Sequence, residues 1–253
     1  MVSRTFDLGS LETYKYVVIL SEYNGKILLS RHKDRTTWET QGGHIEDGET
    51  PLDAAKRELY EESGAIDFDI EPLCDYRAWN EDTGHGANGV VFKAIIRELG
   101  NIPESEMAEV QTFDSLPNEL TYPAITPVLS RYLETGQNSV VLHRMKLKAE
   151  PFRKIRDGLK MIELRLNDEK RQNVQIGDYI EFTLMDDTSQ KLTTRVVALH
   201  HAANFDELFQ QIPCEKLGLT EPPAPDYMDA YYPKEEQEKY GALGIEIELN
   251  NYK

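Results

Sequence analysis

The sequence predicts an α+β chain made of two domains. Three observations carry this reading. Short apolar runs separated by tight-turn signals read as strands, and an amphipathic segment at residues 51–63 reads as a helix set among them. A turn-rich stretch at residues 135–139 (TGQNS) is followed by a strand pattern that starts afresh. Charge changes at the same place: residues 1–135 carry 12 basic and 25 acidic side chains, a net −13, whereas residues 136–253 carry 16 and 20, a net −4. At about 150 residues per domain, 253 residues suit two modest domains, 1–137 and 138–253.

Residues 16–21 and 26–31 are apolar-rich and flank Asn24-Gly25, a hairpin signal because a type I′ turn needs positive φ at both central residues. Thr50 is placed to cap the helix, with Pro51 at its first position, Asp53 three residues on, and Gly64 as its left-handed stop. Residues 89–96 (GVVFKAII) and 110–113 read as strands. A helix is expected to open at Thr126-Pro127, with Thr126 as N-cap, and to run to about Leu133. Beyond the boundary, strands are expected at 140–148, 161–166, 178–184, 192–199 and 245–249, with a short helix at 151–157.

Composition excludes several classes. With 40% hydrophobic and 29% charged residues the chain is neither disordered nor fibrous. No apolar run approaches the roughly 20 residues of a membrane span, and the start, MVSRTFDLGSLETYKY, lacks a secretory apolar region. The expectation is a cytoplasmic protein with no membrane partner. Cys74 and Cys214 follow no metal-site spacing and read as two packed thiols. The acidic first half argues against non-specific nucleic-acid binding there.

The helix at 51–63 carries the chemistry. Leu52, Ala55 and Leu59 form a narrow apolar stripe, and Glu58, Glu61 and Glu62, at i, i+3 and i+4, share a face beside it. Carboxylates so placed repel by on the order of a few tenths of a kcal/mol per pair. An oxygen-seeking divalent cation relieves this, and Mg²⁺ typically binds through carboxylates together with substrate phosphates.

The spacing extends further. Gly43, Glu49, Arg57, Glu58, Leu59, Glu61, Glu62, Gly64 and Ala65 fill every fixed position of G-x5-E-x7-R-E-U-x-E-E-x-G-U, where U is apolar. This resembles the Nudix box, and the resemblance covers roughly residues 10–135. It implies an α/β/α sandwich around a mixed sheet, and hydrolysis of a nucleoside diphosphate linked to a further group. It further implies that Glu58, Glu61 and Glu62, joined by the Gly42 carbonyl, hold Mg²⁺ or Mn²⁺, with Arg57 and Glu49 as orienting partners. The general base implied is Glu58, Glu62 or an acid outside the box among Glu104, Glu106 and Glu109, with Glu109 favoured as the acid before the strand at 110–113. Where many relatives read W-x-F-P-G-G, this chain has Trp38-Glu39-Thr40-Gln41-Gly42-Gly43. Gln41 adds a backbone donor and an amide at the expected cation entrance, and Trp38 is placed either to stack on a base or to pack. The proline or tyrosine that marks some ADP-ribose and dinucleotide-polyphosphate enzymes is absent after the box, which points towards a MutT-like nucleoside triphosphate pyrophosphohydrolase, with oxidised purine nucleotides as candidate substrates.

In the second domain seven basic residues fall between Arg144 and Lys160 against two acidic ones. Gly158, Lys160, Glu163 and Arg165 fit G-x-K-x-x-E-x-R, which resembles the ASCH family, a PUA-like β-barrel expected to bind RNA; the resemblance covers about 140–250. If 161–166 is a strand, Glu163 and Arg165 point the same way, pair, and line a pocket with Lys160 at its lip. Some relatives are amidohydrolases that use a threonine where this chain has Glu163, which speaks against that activity here. Adjacent on a strand, His200 and His201 point to opposite faces and make a poor metal pair. Three functions follow for test: a Nudix hydrolase with an ASCH module binding RNA or nucleotide, a non-catalytic nucleotide- or RNA-binding regulator, and an RNA 5′-end pyrophosphohydrolase using both domains. Oligomeric state is not legible in the sequence.

Overall fold

The computed structural model describes residues 1–250. The chain divides into two compact units, Met1–Glu81 with Gly86–Ser139, and Asp82–His85 with the residues from Val140 onward.

The first unit is a seven-stranded mixed sheet with a helix on each face. Its strands are β1 (Val2–Phe6), β2 (Tyr14–Tyr23), β3 (Lys26–His32), β4 (Gln41–His44), β5 (Ala65–Trp79), β6 (Gly86–Leu99) and β7 (Met107–Phe113). They lie in the order β1-β5-β6-β2-β3-β7, with β4 paired to β2 off this path. The β2–β6 pair is parallel and the others are antiparallel. Asn24 and Gly25 join β2 to β3 with φ of 53° and 74°, the geometry the hairpin signal demands. Helix α1 (Pro51–Ser63) buries Ala54, Ala55 and Leu59 against Val17, Ile19, Leu28, Val90 and Phe92. Thr50 accepts from the Asp53 N–H at 3.2 Å and its hydroxyl donates to the Asp53 carboxylate at 2.6 Å, while Gly64 closes the helix at φ 74°. Helix α2 (Thr126–Thr135) covers the opposite face, where Leu129 meets Leu20, Cys74, Tyr76 and Val91.

Some elements differ from expectation. The residue before α2 is Ile125, with no side-chain cap; Thr126 is already the first helical residue and is buried, so its hydroxyl is not available to cap. Strand β1 has three buried polar residues, Ser3, Arg4 and Thr5, and therefore carries no apolar signature. Thr5 and Ser139 exchange hydrogen bonds, the Thr5 N–H to the Ser139 hydroxyl at 3.1 Å and the Ser139 N–H to the Thr5 hydroxyl at 3.0 Å. This clasp ties the first strand to the last residue of the unit.

The second unit is a curled five-stranded sheet in the order β8-β10-β11-β12-β9. Its strands are β8 (Leu142–Leu147), β9 (Ile162–Leu166), β10 (Tyr179–Leu184), β11 (Lys191–Ala202) and β12 (Ala242–Leu249). The β8–β10 pair is parallel and the rest antiparallel. Helix α3 (Ala149–Arg156) turns its basic residues outward and buries Phe152 and Ile155 with Ile180, Phe182 and Leu243. Helices α4 (Phe205–Gln211) and α5 (Lys234–Tyr240) complete the unit. The curl brings the two edge strands together: Arg165 on β9 donates to the Lys146 carbonyl on β8 at 3.0 Å. Among the described residues no helix is long and apolar enough to cross a membrane.

Candidate functional site

Helix α1 presents Glu58, Glu61 and Glu62 next to the β4 backbone, and Arg57 distributes them. Its Nη1 donates to Glu58 at 2.8 Å and Glu61 at 3.3 Å, its Nε and Nη2 to Glu49 at 2.9 and 3.0 Å, and Nη2 also to the His44 carbonyl at 3.0 Å. Burial disfavours the Arg57 charge, but these carboxylates outweigh it and hold the guanidinium well above its ordinary range. Glu49 sits low because Arg57 donates to it. Glu62 turns instead to the Gly42 N–H, at 2.8 Å.

The electrostatics of the two inner carboxylates are unbalanced. Burial pushes Glu58 up against the pull of Arg57. Burial raises Glu62 to about 8 despite the Gly42 N–H, helped by the charges of Glu58, Glu39 and Glu106. The backbone comes close to them through two glycines. A Cβ on Gly43 would overlap the Glu58 carboxylate, and Gly42, at φ 151°, would drive one into the Val17 carbonyl. The resemblance implies Glu58, Glu61 and Glu62 as metal ligands. Among the described residues no group of three or more His, Cys, Asp or Glu side chains is gathered in a form that could hold a metal ion. The reason is local: Glu58 and Glu61 lean on the guanidinium while Glu62 leans on a backbone N–H.

Two further expectations meet the register of the sheet. Strand β7 begins at Met107, so Glu109 lies inside it rather than before it, paired opposite Arg31. Its neighbour Val110 is opposite Ser30 and packs on the α1 side, so Glu109 is on the other face. There Arg31 holds it at 2.7 Å. Glu106 is the acid directly before β7; it contacts His32 at 3.3 Å and its charge bears on Glu62. Gln41 is fully buried, with its amide donating to the Ser30 hydroxyl at 2.8 Å, so its side chain packs within the sheet and is not offered to a ligand at an entrance. Trp38 is half-buried, edge-on to Phe113 at 5.0 Å with Arg31 over its ring.

Sequence reasoning did not single out Arg35 and Glu39. Glu39 is 4% exposed and accepts from Arg35 at 2.7 Å. Its location opposite Ser30, which places it on the α1 side, depends on strand pairing and leaves no trace in local spacing.

In the second unit Glu163 joins two cations, Lys160 at 2.7 Å and Arg165 at 2.9 Å. Burial alone would raise the Glu163 carboxyl; the adjoining charges outweigh it and hold it below the usual range. Arg165 shows the mirror image, burial pulling it down and Glu163 more than restoring it. The three line a cavity of about 190 Å³ together with Lys146, Lys148, Tyr231 and Tyr232. Lys148 stands over the Tyr231 ring at 4.9 Å. His200 bonds Glu246 at 2.9 Å, whereas His201 is exposed.

Comparison with known proteins agrees with this division. Residues 13–128 match the NUDIX domain family and residues 145–251 the ASCH domain family. An RNA pyrophosphohydrolase of Francisella philomiragia is 37% identical over 62 residues, which cover 24% of this chain and 40% of that protein. One of Tolumonas auensis is 37% identical over 62 residues, 24% of this chain and 36% of the relative. The chain thus spans about two fifths of the length of these curated relatives. Among solved structures, a Bacillus subtilis pyrophosphohydrolase is 24% identical with a TM-score of 0.45, covering 52% of this chain and 87% of its own. A UDP-X diphosphatase is 24% identical with a TM-score of 0.41, covering 51% and 66%. With α1 and its glutamates inside one match, and Lys160, Glu163 and Arg165 inside the other, the chain carries a NUDIX domain followed by an ASCH domain.

Proposed function

We propose that the NUDIX domain hydrolyses a phosphoric anhydride of a nucleotide, with a divalent cation held by Glu58, Glu61, Glu62 and the Gly42 carbonyl. The observation that carries this reading is Glu62: a carboxyl raised to about 8 by burial and by neighbouring carboxylates, beside backbone on which a Cβ at Gly42 would strike the Val17 carbonyl and one at Gly43 would displace the Glu58 carboxylate. This all-oxygen, net negative donor set suits Mg²⁺ or Mn²⁺. When bound, such an ion neutralises charge on the phosphoryl oxygens and makes water more acidic. Arg57 keeps Glu58 and Glu61 on one face of α1, and Glu49 fixes Arg57 from behind. A carboxylate accepts the proton of the attacking water. Glu106 is placed for this better than Glu109, because it lies before β7 and its charge reaches Glu62.

The substrate is a nucleoside triphosphate on the composition of the box and its flanks. A second reading, the triphosphate end of an RNA, is favoured by the names of the curated relatives and by the basic cavity of the ASCH domain, which we assign to RNA or nucleotide. The test incubates the purified chain and Mg²⁺ with normal and oxidised nucleoside triphosphates, ADP-ribose, dinucleotide polyphosphates and 5′-triphosphorylated RNA. Release of pyrophosphate or phosphate that is lost in Glu62→Gln supports the assignment. Cleavage of RNA that falls selectively in Lys160→Ala favours the second reading, and no cleavage of any substrate removes both.

A further inference from the structure

Arg35 and Glu39 form an ion pair that stability does not account for. Glu39 is 4% exposed, and only Oε2 has a partner, Arg35 Nη1 at 2.7 Å; Oε1 is buried with no hydrogen bond. A buried carboxylate satisfied on one oxygen is disfavoured relative to an apolar side chain of the same size. What the pair does achieve is to fix the guanidinium of a side chain that is 42% exposed. The Arg35 backbone is pinned as well, its N–H donating to the His32 carbonyl at 3.1 Å and its carbonyl accepting from Arg31 Nη1 at 3.1 Å.

The location gives this arrangement its meaning. Glu39 lies directly opposite Ser30 across an antiparallel bridge, and cross-strand partners share a face. The Ser30 hydroxyl donates to the Glu62 carbonyl at 2.8 Å, so that face is the one carrying the α1 carboxylates. Glu39 and Glu62 interact through their charges. Arg35 is therefore a fixed, accessible cation beside a cluster of carboxylates that on its own repels a polyphosphate. Its planar fork matches phosphate geometry, and a guanidinium already held in place loses less freedom on binding than a mobile lysine.

We propose that Arg35 binds phosphoryl oxygens of the substrate's polyphosphate, with Glu39 as its positioning residue. This rests on the hydrolase reading of the α1 carboxylates, and the test separates the two. Calorimetry measures binding of magnesium pyrophosphate and of the α,β-methylene analogue of ATP to the full chain and its variants, alongside turnover of the substrate panel. Arg35→Ala is expected to weaken binding of both probes about tenfold and to raise KM with little change in kcat. Arg35→Lys, which keeps the charge but not the fork, recovers part of the affinity. Glu39→Gln weakens binding in the same direction, and the Arg35→Ala/Glu39→Gln pair binds no more weakly than Arg35→Ala alone, because Glu39 acts through Arg35. A separate structural role for Glu39 would instead add to the loss. Wild-type binding by Arg35→Ala, additive losses, or no binding of either probe by the unaltered chain would overturn the inference. Absence of turnover together with weaker binding by Arg35→Ala would overturn the hydrolase reading and leave the phosphate role standing.

Discussion

The two domains each bury a charged cluster, and they resolve the cost of burial in opposite ways. In the ASCH domain Glu163 faces two cations within 2.9 Å, and the cluster holds its carboxyl low. In the NUDIX domain one guanidinium is divided among three carboxylates while Glu62 is left to a single backbone N–H and rises to about 8. In the first cluster one carboxylate serves both cations, so removing Glu163 leaves buried positive charge uncompensated. The second carries excess negative charge, so removing a member relieves the fold and damages only what the charge is for. The contrast separates a charge that lines a cavity from one that, on the proposed reading, is reserved for a cation.

The sharpest break of this contrast is Glu62→Gln. Pyrophosphate release with Mg²⁺ should fall by about 10²–10⁴-fold, while the denaturation midpoint holds or rises. A variant that keeps full turnover, or one that unfolds, would erase the distinction. Next comes Glu163→Ala, expected to lower stability by about 3–5 kcal/mol in urea denaturation because Lys160 and Arg165 lose their shared partner.

The pH dependence should carry opposite signs. Glu62, raised in the folded chain, favours folding fully below its ordinary value of 4.5, and that contribution is lost as pH climbs to about 8. Glu163, held low, favours folding above 4.5, and its contribution is lost as pH falls. Denaturation midpoints followed from acid to alkaline pH should therefore differ from wild type in opposite directions for Glu62→Gln and Glu163→Gln. Parallel curves would contradict both assignments.

Gly43→Ala is a finer probe. Its Cβ would displace the Glu58 carboxylate, a side-chain end and not backbone, so turnover should drop about tenfold with stability altered by less than about 1 kcal/mol. The smallest effect belongs to Thr50→Ala, which removes the α1 cap and should cost about 1 kcal/mol in thermal melting while turnover persists.

What the sequence disclosed followed from how local each signal is. Asn24-Gly25, Thr50 and Gly64 act within a few residues, and all three do in the structure what their chemistry demands. The i, i+3, i+4 spacing of Glu58, Glu61 and Glu62 likewise puts them on one face. The Glu163–Arg165 pair is legible for the same reason, since a strand's two-residue period puts both on one face; the bond from Lys160, which precedes β9, is not. Glu109 was misplaced because the face a strand residue occupies depends on its partner. The strand begins at Met107, earlier than the apolar run at 110–113 shows, and Glu109 pairs opposite Arg31 in the regular part of the β3–β7 ladder. Gln41 was expected at an entrance and is instead packed against Ser30, a residue 11 positions away. Local spacing carries no sign of Arg35 and Glu39, since only the bridge to Ser30 brings Glu39, and through it Arg35, to the carboxylate face. Strand β1 was invisible because its buried residues are polar and find their partners on β5 and at Ser139.

The clasp between Thr5 and Ser139 also sets an order of events during synthesis. The two residues are 134 positions apart. At roughly 5–20 residues per second, Thr5 waits about 7–27 s after its own synthesis before Ser139 is made. Until then the NUDIX domain lacks its final fastening, however much of the sheet has already assembled. Val140, the first residue of the long ASCH segment, follows Ser139 directly. The ribosome therefore delivers the last piece of one domain one residue before this segment begins, which limits the time in which two half-built sheets with unpaired edges are exposed together.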